Sequence, residues 1–292
     1  NSYMPKITPR RSVLYMPGAN TRALEKARSL ACDGIIFDLE DAVAPASKIA
    51  ARENVCRAVE EGGYGYRELV VRVNGLDSLW GADDVAAIAS LSVNALLFPK
   101  IESLGQIKTI LQAVDGAGGS HLPVWLMVET PRGILNIEAV AGGSDRIQAL
   151  VMGTSDLVKE LRARHTESRN NLAYALQRCV LAARGIGLDI LDGVHLDFRN
   201  LESFEVVCEQ GLAMGFDGKT LIHPTQIEIA NRVFGVASED VDQARVVLNV
   251  WQAAQEAGRG VAELDGRLIE NLHAADAERL LEFAEALAGR DD

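Results

Sequence analysis

The sequence predicts a closed parallel (β/α)₈ (TIM) barrel followed by a C-terminal helical arm. Three observations predict it. Short apolar runs alternate with segments of 3–4-residue apolar spacing through the first 237 residues, the pattern of a parallel α/β fold. Eight such units fit that span, and a barrel uses about 250 residues as one domain, which favours closure over an open doubly wound sheet. No GxGxxG follows any apolar run, so the usual dinucleotide fingerprint is absent. The expected domains are a barrel over 1–237 and an arm over 238–292.

The strand candidates are Ser12–Met16, Gly34–Leu39, Leu69–Val73, Ala95–Pro99, Val124–Val128, Ala149–Met152, Leu188–Leu191 and Lys219–Ile222. Each is mostly apolar on both parities, as a strand buried on both faces requires. Helices are expected over Thr21–Leu30, Ser47–Glu61, Leu104–Val114, Leu172–Arg184, Leu201–Leu212 and Thr225–Val233. In the arm, Ser238 is the expected N-cap, with Glu239, Asp240 and Asp242 placed where a helix dipole favours acids. Val241, Ala244, Leu248 and Trp251 form one apolar stripe, and Gly258 is the expected stop. A Gly-rich stretch leads to a last amphipathic helix over Ala274–Leu287.

Composition excludes several function classes. The 292 residues carry 29 basic and 41 acidic side chains, a net charge of −12, which opposes general attraction to nucleic acid or an anionic membrane. A local basic pocket for a small anion stays compatible with that sum. Cys32, Cys56, Cys179 and Cys208 are widely spaced, with no CxxC pair, and suit a reducing, cytoplasmic setting. The five histidines form no HxxxH or HExxH, which disfavours zinc. The longest uncharged run, Val85–Pro99, has 15 residues, short of the roughly 18–20 a spanning helix needs.

In a parallel barrel the active site lies at the C-terminal strand ends. Glu129 follows Val124–Val128, and Thr130-Pro131 reads as an N-cap with Pro at the first helical position. Asp156 follows the next strand. Two carboxylates in oxygen-rich surroundings suit a hard cation such as Mg²⁺. The structural alternative is that Asp156 caps a helix and Glu129 pairs with Arg132; spacing leaves both open. Arg72 shares a strand face with Asn74 and needs an anionic partner. That partner is either Glu40 or Asp41 on the neighbouring strand, or a substrate carboxylate gripped by the guanidinium fork, which its place at the rim favours. Asp265-Gly266 is first of all a tight-turn signal. Gly215–Lys219 reads first as a plain turn before the last strand, and otherwise as a backbone that can approach a ligand closely.

Six motifs occur in order: Arg11–Gly18, Asp38-Leu39-Glu40-Asp41, Arg72-Val73-Asn74, Pro99-Lys100-Ile101-Glu102, Glu129-Thr130-Pro131 and Gly218–Pro224. Together they resemble the HpcH/HpaI aldolase and citrate lyase β-subunit family, and within it the CitE-like and malyl-CoA lyase branches. The resemblance implies a cytoplasmic barrel enzyme assembled as a trimer or dimer of trimers. It implies Mg²⁺, with Mn²⁺ the substitute, held by Glu129 and Asp156, and Glu40 and Asp41 near the metal's waters. It places Arg72 on the acid end of the substrate. It aligns Tyr15, Arg22, Lys26, Ile222 and His223 with contacts to coenzyme A, and Asp265 with an acid that reaches a neighbouring subunit's site. One position departs from the citrate lyase pattern G-x-E-D, because the chain reads Gly153-Thr154-Ser155-Asp156. That departure suits the relatives that use coenzyme A.

The activity implied is reversible Claisen-type cleavage of a 3-hydroxyacyl-CoA of malyl, methylmalyl or citramalyl type to acetyl- or propionyl-CoA and a 2-oxo acid. Arg72 would stabilise the oxyanion and Asp265 would carry the proton. Three alternatives share the site: a malyl-CoA thioesterase, a citryl-ACP lyase subunit, and a barrel that binds CoA esters without turnover.

Overall fold

The computed structural model describes residues 6–290. Eight parallel strands close into a ring: β1 (Ser12–Pro17), β2 (Gly34–Asp38), β3 (Glu68–Arg72), β4 (Ala95–Phe98), β5 (Val124–Val128), β6 (Ile147–Met152), β7 (Asp189–Asp192) and β8 (Gly218–Leu221). Closure is made by β1 against β8, with Ser12 opposite Lys219 and Leu14 opposite Leu221. The seam needs Gly218, since a Cβ there would stand 1.7 Å from the Arg10 carbonyl oxygen. The close backbone approach at Gly218 is therefore to the residues leading into β1 and not to a ligand.

The strands are apolar on both parities because both faces are packed. Val13, Ile36, Val70, Leu97, Trp125, Met127, Val151 and Leu191 fill the interior. Leu14, Ile35, Phe37, Val71, Leu126, Leu150 and Ile190 face the helices. Two residues beyond Ile36, Val70 and Met127 come Asp38, Arg72 and Glu129, so alternation alone delivers these polar side chains into the mouth of the barrel. At the opposite end Arg10 closes the floor over Trp125, bonded to Glu68 and Asp189.

Outside the ring, Lys219 and Arg169 converge on Asp192, all three on the helix-facing side of β7 and β8. Lys219 Nζ lies 3.0 Å from Asp192 Oδ2, and Arg169 donates to both oxygens at 2.8 and 2.9 Å. Burial opposes charge on Asp192, yet Lys219 and Arg169 outweigh it and hold the carboxyl below its usual range.

The helices bear familiar start signals. Thr130 Oγ1 accepts from Gly133 N at 3.1 Å with Pro131 next in line, and Ser103 and Gln106 cap each other's backbone. Short helices over Gly81–Ile88, Pro131–Leu135, Ile137–Ala141 and Thr154–Glu160 lie between the longer ones. At five to eight residues they are too short to show a periodic stripe.

Arg10–Phe234 forms one compact unit, and a second begins at Gly235. The second holds a helix over Ser238–Glu256, a hairpin of β9 (Ala262–Leu264) and β10 (Arg267–Ile269), and a helix over Asn271–Ala288. Ser238 is the first helical residue rather than the N-cap, which is Ala237 without a side-chain bond. Gly258 does stop the helix, at φ 72°, with its N–H on the Gln255 carbonyl. Trp251, Ala254, Ala262, Ile269 and Ala274 make this unit's own small core. Asp265 and Gly266 form the hairpin turn with φ of 51° and 76°, both in the region a two-residue turn of this hand requires. Among the described residues no helix is long and apolar enough to cross a membrane.

Candidate active site

The mouth of the barrel gathers Asp38 and Glu40-Asp41 after β2, Arg72 at the end of β3, Lys100 after β4, Glu129 after β5 and Asp156 after β6. Asp38 and Arg72 are register partners on adjacent strands. Arg72 Nε donates to Asp38 Oδ1 at 2.7 Å and Nη2 to Oδ2 at 2.6 Å. Asp38 is itself held by the backbone N–H groups of Glu40 and Ala42. The partner of Arg72 in the fold is thus Asp38. Glu40, a partner anticipated from sequence, stands 3.6 Å from the remaining Nη1, beyond hydrogen-bond distance. The Tyr15 ring packs beneath the guanidinium, 4.8 Å from its carbon. Burial opposes the charge on Arg72, but Tyr15, Asp38 and Glu40 keep it firmly protonated.

Four carboxylates converge beside this pair. Glu129 is 1% exposed, and its Oε1 accepts the Lys100 backbone N–H at 2.8 Å. Burial and then the nearby Asp156 push the Glu129 carboxyl up to about 7. Burial, and then hydrogen bonding with Asp41, push Glu40 up to about 8. Asp41 resists burial through its bond with Glu40 and the charges of Arg72 and Lys100, and lies below its usual range. Gly153 makes the approach of β6 feasible: a Cβ there would meet Glu129 Cβ at 2.4 Å and Oε2 at 2.5 Å.

These residues fit a divalent cation of the Mg²⁺ kind. The donor set is all carboxylate oxygen, which suits a hard ion. Among the described residues, the buried side-chain oxygens without a hydrogen-bond partner are Glu40 Oε1 and Ser155 Oγ, and both belong to this rim. Among the described residues no three acids, histidines or cysteines form a ready cage. Mg²⁺ needs none, since it takes one or two carboxylates and completes its shell with water and substrate oxygens. The structural alternatives for the two acids do not hold. Asp156 sits in the first turn of its helix behind the N-cap Gly153, and Arg132 faces Glu102 at 3.6 Å rather than Glu129.

The other expected binding residues are more scattered. Tyr15 lies half-buried in the barrel interior, its hydroxyl 3.5 Å from Met127 Sδ. Arg22 and Lys26 are exposed one turn apart on the helix Thr21–Lys26. Ile222 and His223 follow β8, where the His223 ring stacks on Phe198 at 4.5 Å. Asp265 is exposed on the hairpin turn of the second unit. Sequence reasoning gave no role to Asp38, Lys100, Gly153 or Phe198. For Asp38 a signal existed: an acid two positions beyond an inward-facing Ile36.

The profile of the HpcH/HpaI aldolase/citrate lyase family matches residues 11–224. The chain belongs to that family. Among HpcH/HpaI relatives, a (3S)-malyl-CoA thioesterase of Cereibacter sphaeroides is 46% identical over 280 residues, covering 96% of each chain. A citrate lyase subunit beta of Escherichia coli is 31% identical over 293 residues, covering 98% of this chain and 97% of that protein. A crystal structure of the protein CitE from Mycobacterium tuberculosis, in complex with magnesium, acetoacetate and coenzyme A, superposes with a TM-score of 0.76. It is 28% identical and covers 96% of this chain and 99% of that one.

Proposed function

We propose that this HpcH/HpaI enzyme hydrolyses a 3-hydroxyacyl-CoA of the malyl type to the free hydroxy acid and coenzyme A. The observation that carries this reading is the 46% identity, over 96% of both chains, with a (3S)-malyl-CoA thioesterase. Carbon–carbon cleavage of the same ester to a 2-oxo acid and acetyl- or propionyl-CoA is the second reading, favoured by the 31% identity with a citrate lyase subunit.

The carboxylate cluster and Arg72 support either outcome. Mg²⁺, with Mn²⁺ its substitute, would be held by Glu129 and Asp156, with Glu40 and Asp41 beside it, and would polarise substrate oxygens as a Lewis acid. Arg72, held from the side by Asp38, keeps Nη1 for the carbonyl oxygen that gains charge. In hydrolysis, water adds to the thioester carbonyl carbon, the C–S bond breaks, and the sulfur leaves as thiol once a proton reaches it. Asp265 would carry that proton for a neighbouring copy, within a homotrimer or dimer of trimers. Its exposure on a hairpin turn, with Leu268 55% and Leu272 57% exposed nearby on the chain, supports this. Arg22 and Lys26 would meet the phosphates of coenzyme A, and Tyr15, Ile222 and His223 would line the path of its thioester arm.

The test is product analysis by mass spectrometry with purified protein, Mg²⁺ and malyl-CoA or citramalyl-CoA. Free coenzyme A with intact malate or citramalate, lost on adding EDTA, is expected. Acetyl-CoA with glyoxylate or pyruvate would replace hydrolysis by the lyase reading. No turnover of either ester would overturn both.

A further inference from the structure

We infer that Lys100 binds the carboxylate of the substrate's acid portion, releasing Glu40 as it does so. The inference rests on the proposed function, in which the substrate carries such a carboxylate.

The argument begins with charge. Asp38, Glu40, Asp41, Glu129 and Asp156 stand around the mouth, five acids facing Arg72 and the one divalent cation they would hold. Arg72 has already committed Nε and Nη2 to Asp38. An anionic substrate entering such a rim needs a further cation. Lys100 supplies it: burial is the largest single influence and disfavours its charge, but Glu40, Asp41, Glu129 and Asp156 together outweigh it.

The second step is geometry. Lys100 adopts φ 50°, a left-handed conformation that side-chain-bearing residues rarely hold unless their surroundings enforce it. Three bonds enforce it: Lys100 N–H to Glu129 Oε1 at 2.8 Å, Gln106 Nε2 to the Lys100 carbonyl at 3.2 Å, and Ile101 N–H to the Met127 carbonyl at 3.2 Å. The backbone that orients the putting of Glu129 in place is therefore the same backbone that sets the start of the lysine side chain.

The third step is that the ammonium is only loosely held. Its Nζ stands 3.9 Å from Glu40 Oε2, an ion pair without a hydrogen bond, and the side chain is 53% exposed. Glu40 Oε1, on the other side, has no hydrogen-bond partner. Lys100 also lines two cavities, one of about 880 Å³ shared with Glu40, Asp41 and Trp80, and one of about 460 Å³ shared with Thr130 and Arg132. A cation with open space on both sides and no short bond can transfer to an incoming carboxylate at little cost.

The test uses the full chain and its Lys100→Met, Lys100→Arg and Lys100→Gly variants. The last removes the side chain without the left-handed penalty, so it folds even where Met does not. Binding of (S)-malate in saturating Mg²⁺ is measured by calorimetry, Mn²⁺ binding by electron paramagnetic resonance, and malyl-CoA turnover for the wild type. Malate affinity should fall about tenfold or more in the Met and Gly variants and stay within about threefold in the Arg variant. Mn²⁺ affinity should hold or rise. Unchanged malate binding in both uncharged variants would overturn the inference, as would loss confined to Mn²⁺ affinity. A wild type that turns over malyl-CoA but binds no malate would overturn it and leave the proposed function standing. A wild type that does neither would overturn both.

Discussion

Asp38 grips Arg72 through two parallel bonds, at 2.7 and 2.6 Å, and so selects the edge of the guanidinium that faces the barrel mouth. A planar fork held on one side by a carboxylate has only its Nη1 edge left for a ligand. The pair is buried, so neither member can be removed without leaving the other charge exposed to an apolar interior.

Asp38→Asn should therefore cost both stability and catalysis. The expected loss is about 3–5 kcal/mol of folding free energy, from a buried cation stripped of its counter-charge. Turnover in the surviving folded fraction should drop by about 10²–10³, as when one oxyanion donor is lost. Arg72→Lys should keep more of the stability and lose as much of the activity, because an ammonium cannot reproduce the fork. Denaturant titration and steady-state kinetics on the two variants check this.

Gly153→Ala should separate fold from metal affinity. The added methyl lands 2.4 Å from Glu129 Cβ and 2.5 Å from its Oε2, so the two strand ends must part locally and the carboxylate must leave its place. The backbone at Gly153, with φ −101° and ψ 73°, is not left-handed and lies near the inverse γ-turn conformation that other residues adopt. We expect a barrel with nearly wild-type circular dichroism and Mn²⁺ affinity lowered by about 10–100-fold. Calorimetric titration with Mn²⁺ is the measurement, and wild-type affinity would refute the role given to Glu129.

Glu129→Gln and Asp156→Asn should abolish the thermal shift produced by Mg²⁺. A ligand that binds only the native state stabilises it by about 2.7 kcal/mol at one hundred times its dissociation constant. The wild type should melt several degrees higher with saturating Mg²⁺, and each variant should melt at the same temperature with and without it. A full shift retained in either variant would remove that residue from the ligand set.

The Asp192 cluster predicts an acid limb in the stability curve. Its folded pKa lies below the ordinary value because Lys219 and Arg169 outweigh burial. A depressed carboxyl contributes stability that is complete above its unfolded pKa, about 3.9, and is lost as pH falls through the folded value. Asp192→Asn strands two cations and should lower stability by about 3–5 kcal/mol at neutral pH. Below about pH 4 the gap between variant and wild type should narrow. Urea titrations at pH 7 and pH 3.5 test the direction.

Much of the fold was legible in the chain because both faces of every strand are apolar. Val124–Val128 appears in the structure with the bounds that its composition suggests. Three strands slide by one residue: β3 begins at Glu68 and β8 at Gly218, each one position earlier than expected, and β7 runs one later, to Asp189–Asp192, ending on an acid paired with Lys219 of the next strand. The hairpin of β9 and β10 escaped notice because three-residue strands leave no alternation to read, though its Asp265-Gly266 turn did not. At the site, the acids at the strand ends were visible as residue types. Asp38 was passed over as a partner because its bond to Arg72 spans 34 positions and exists only through the register of β2 on β3.

The sequence by itself determined which residues could do chemistry and which way their side chains face. Alternation is covalent geometry, so Asp38, Arg72 and Glu129 must point inward once Ile36, Val70 and Met127 do. The tertiary structure alone decided that they meet. Closing β1 on β8 curls eight separate strand ends into one mouth and brings acids from β2, β5 and β6 against one arginine. It also decided the left-handed turn at Lys100, which bonds to Glu129 and Met127 from the next strand, with a nearer one from Gln106, impose against local preference. The reason is that convergence depends on register and closure, which sum many long-range pairings that no local spacing records.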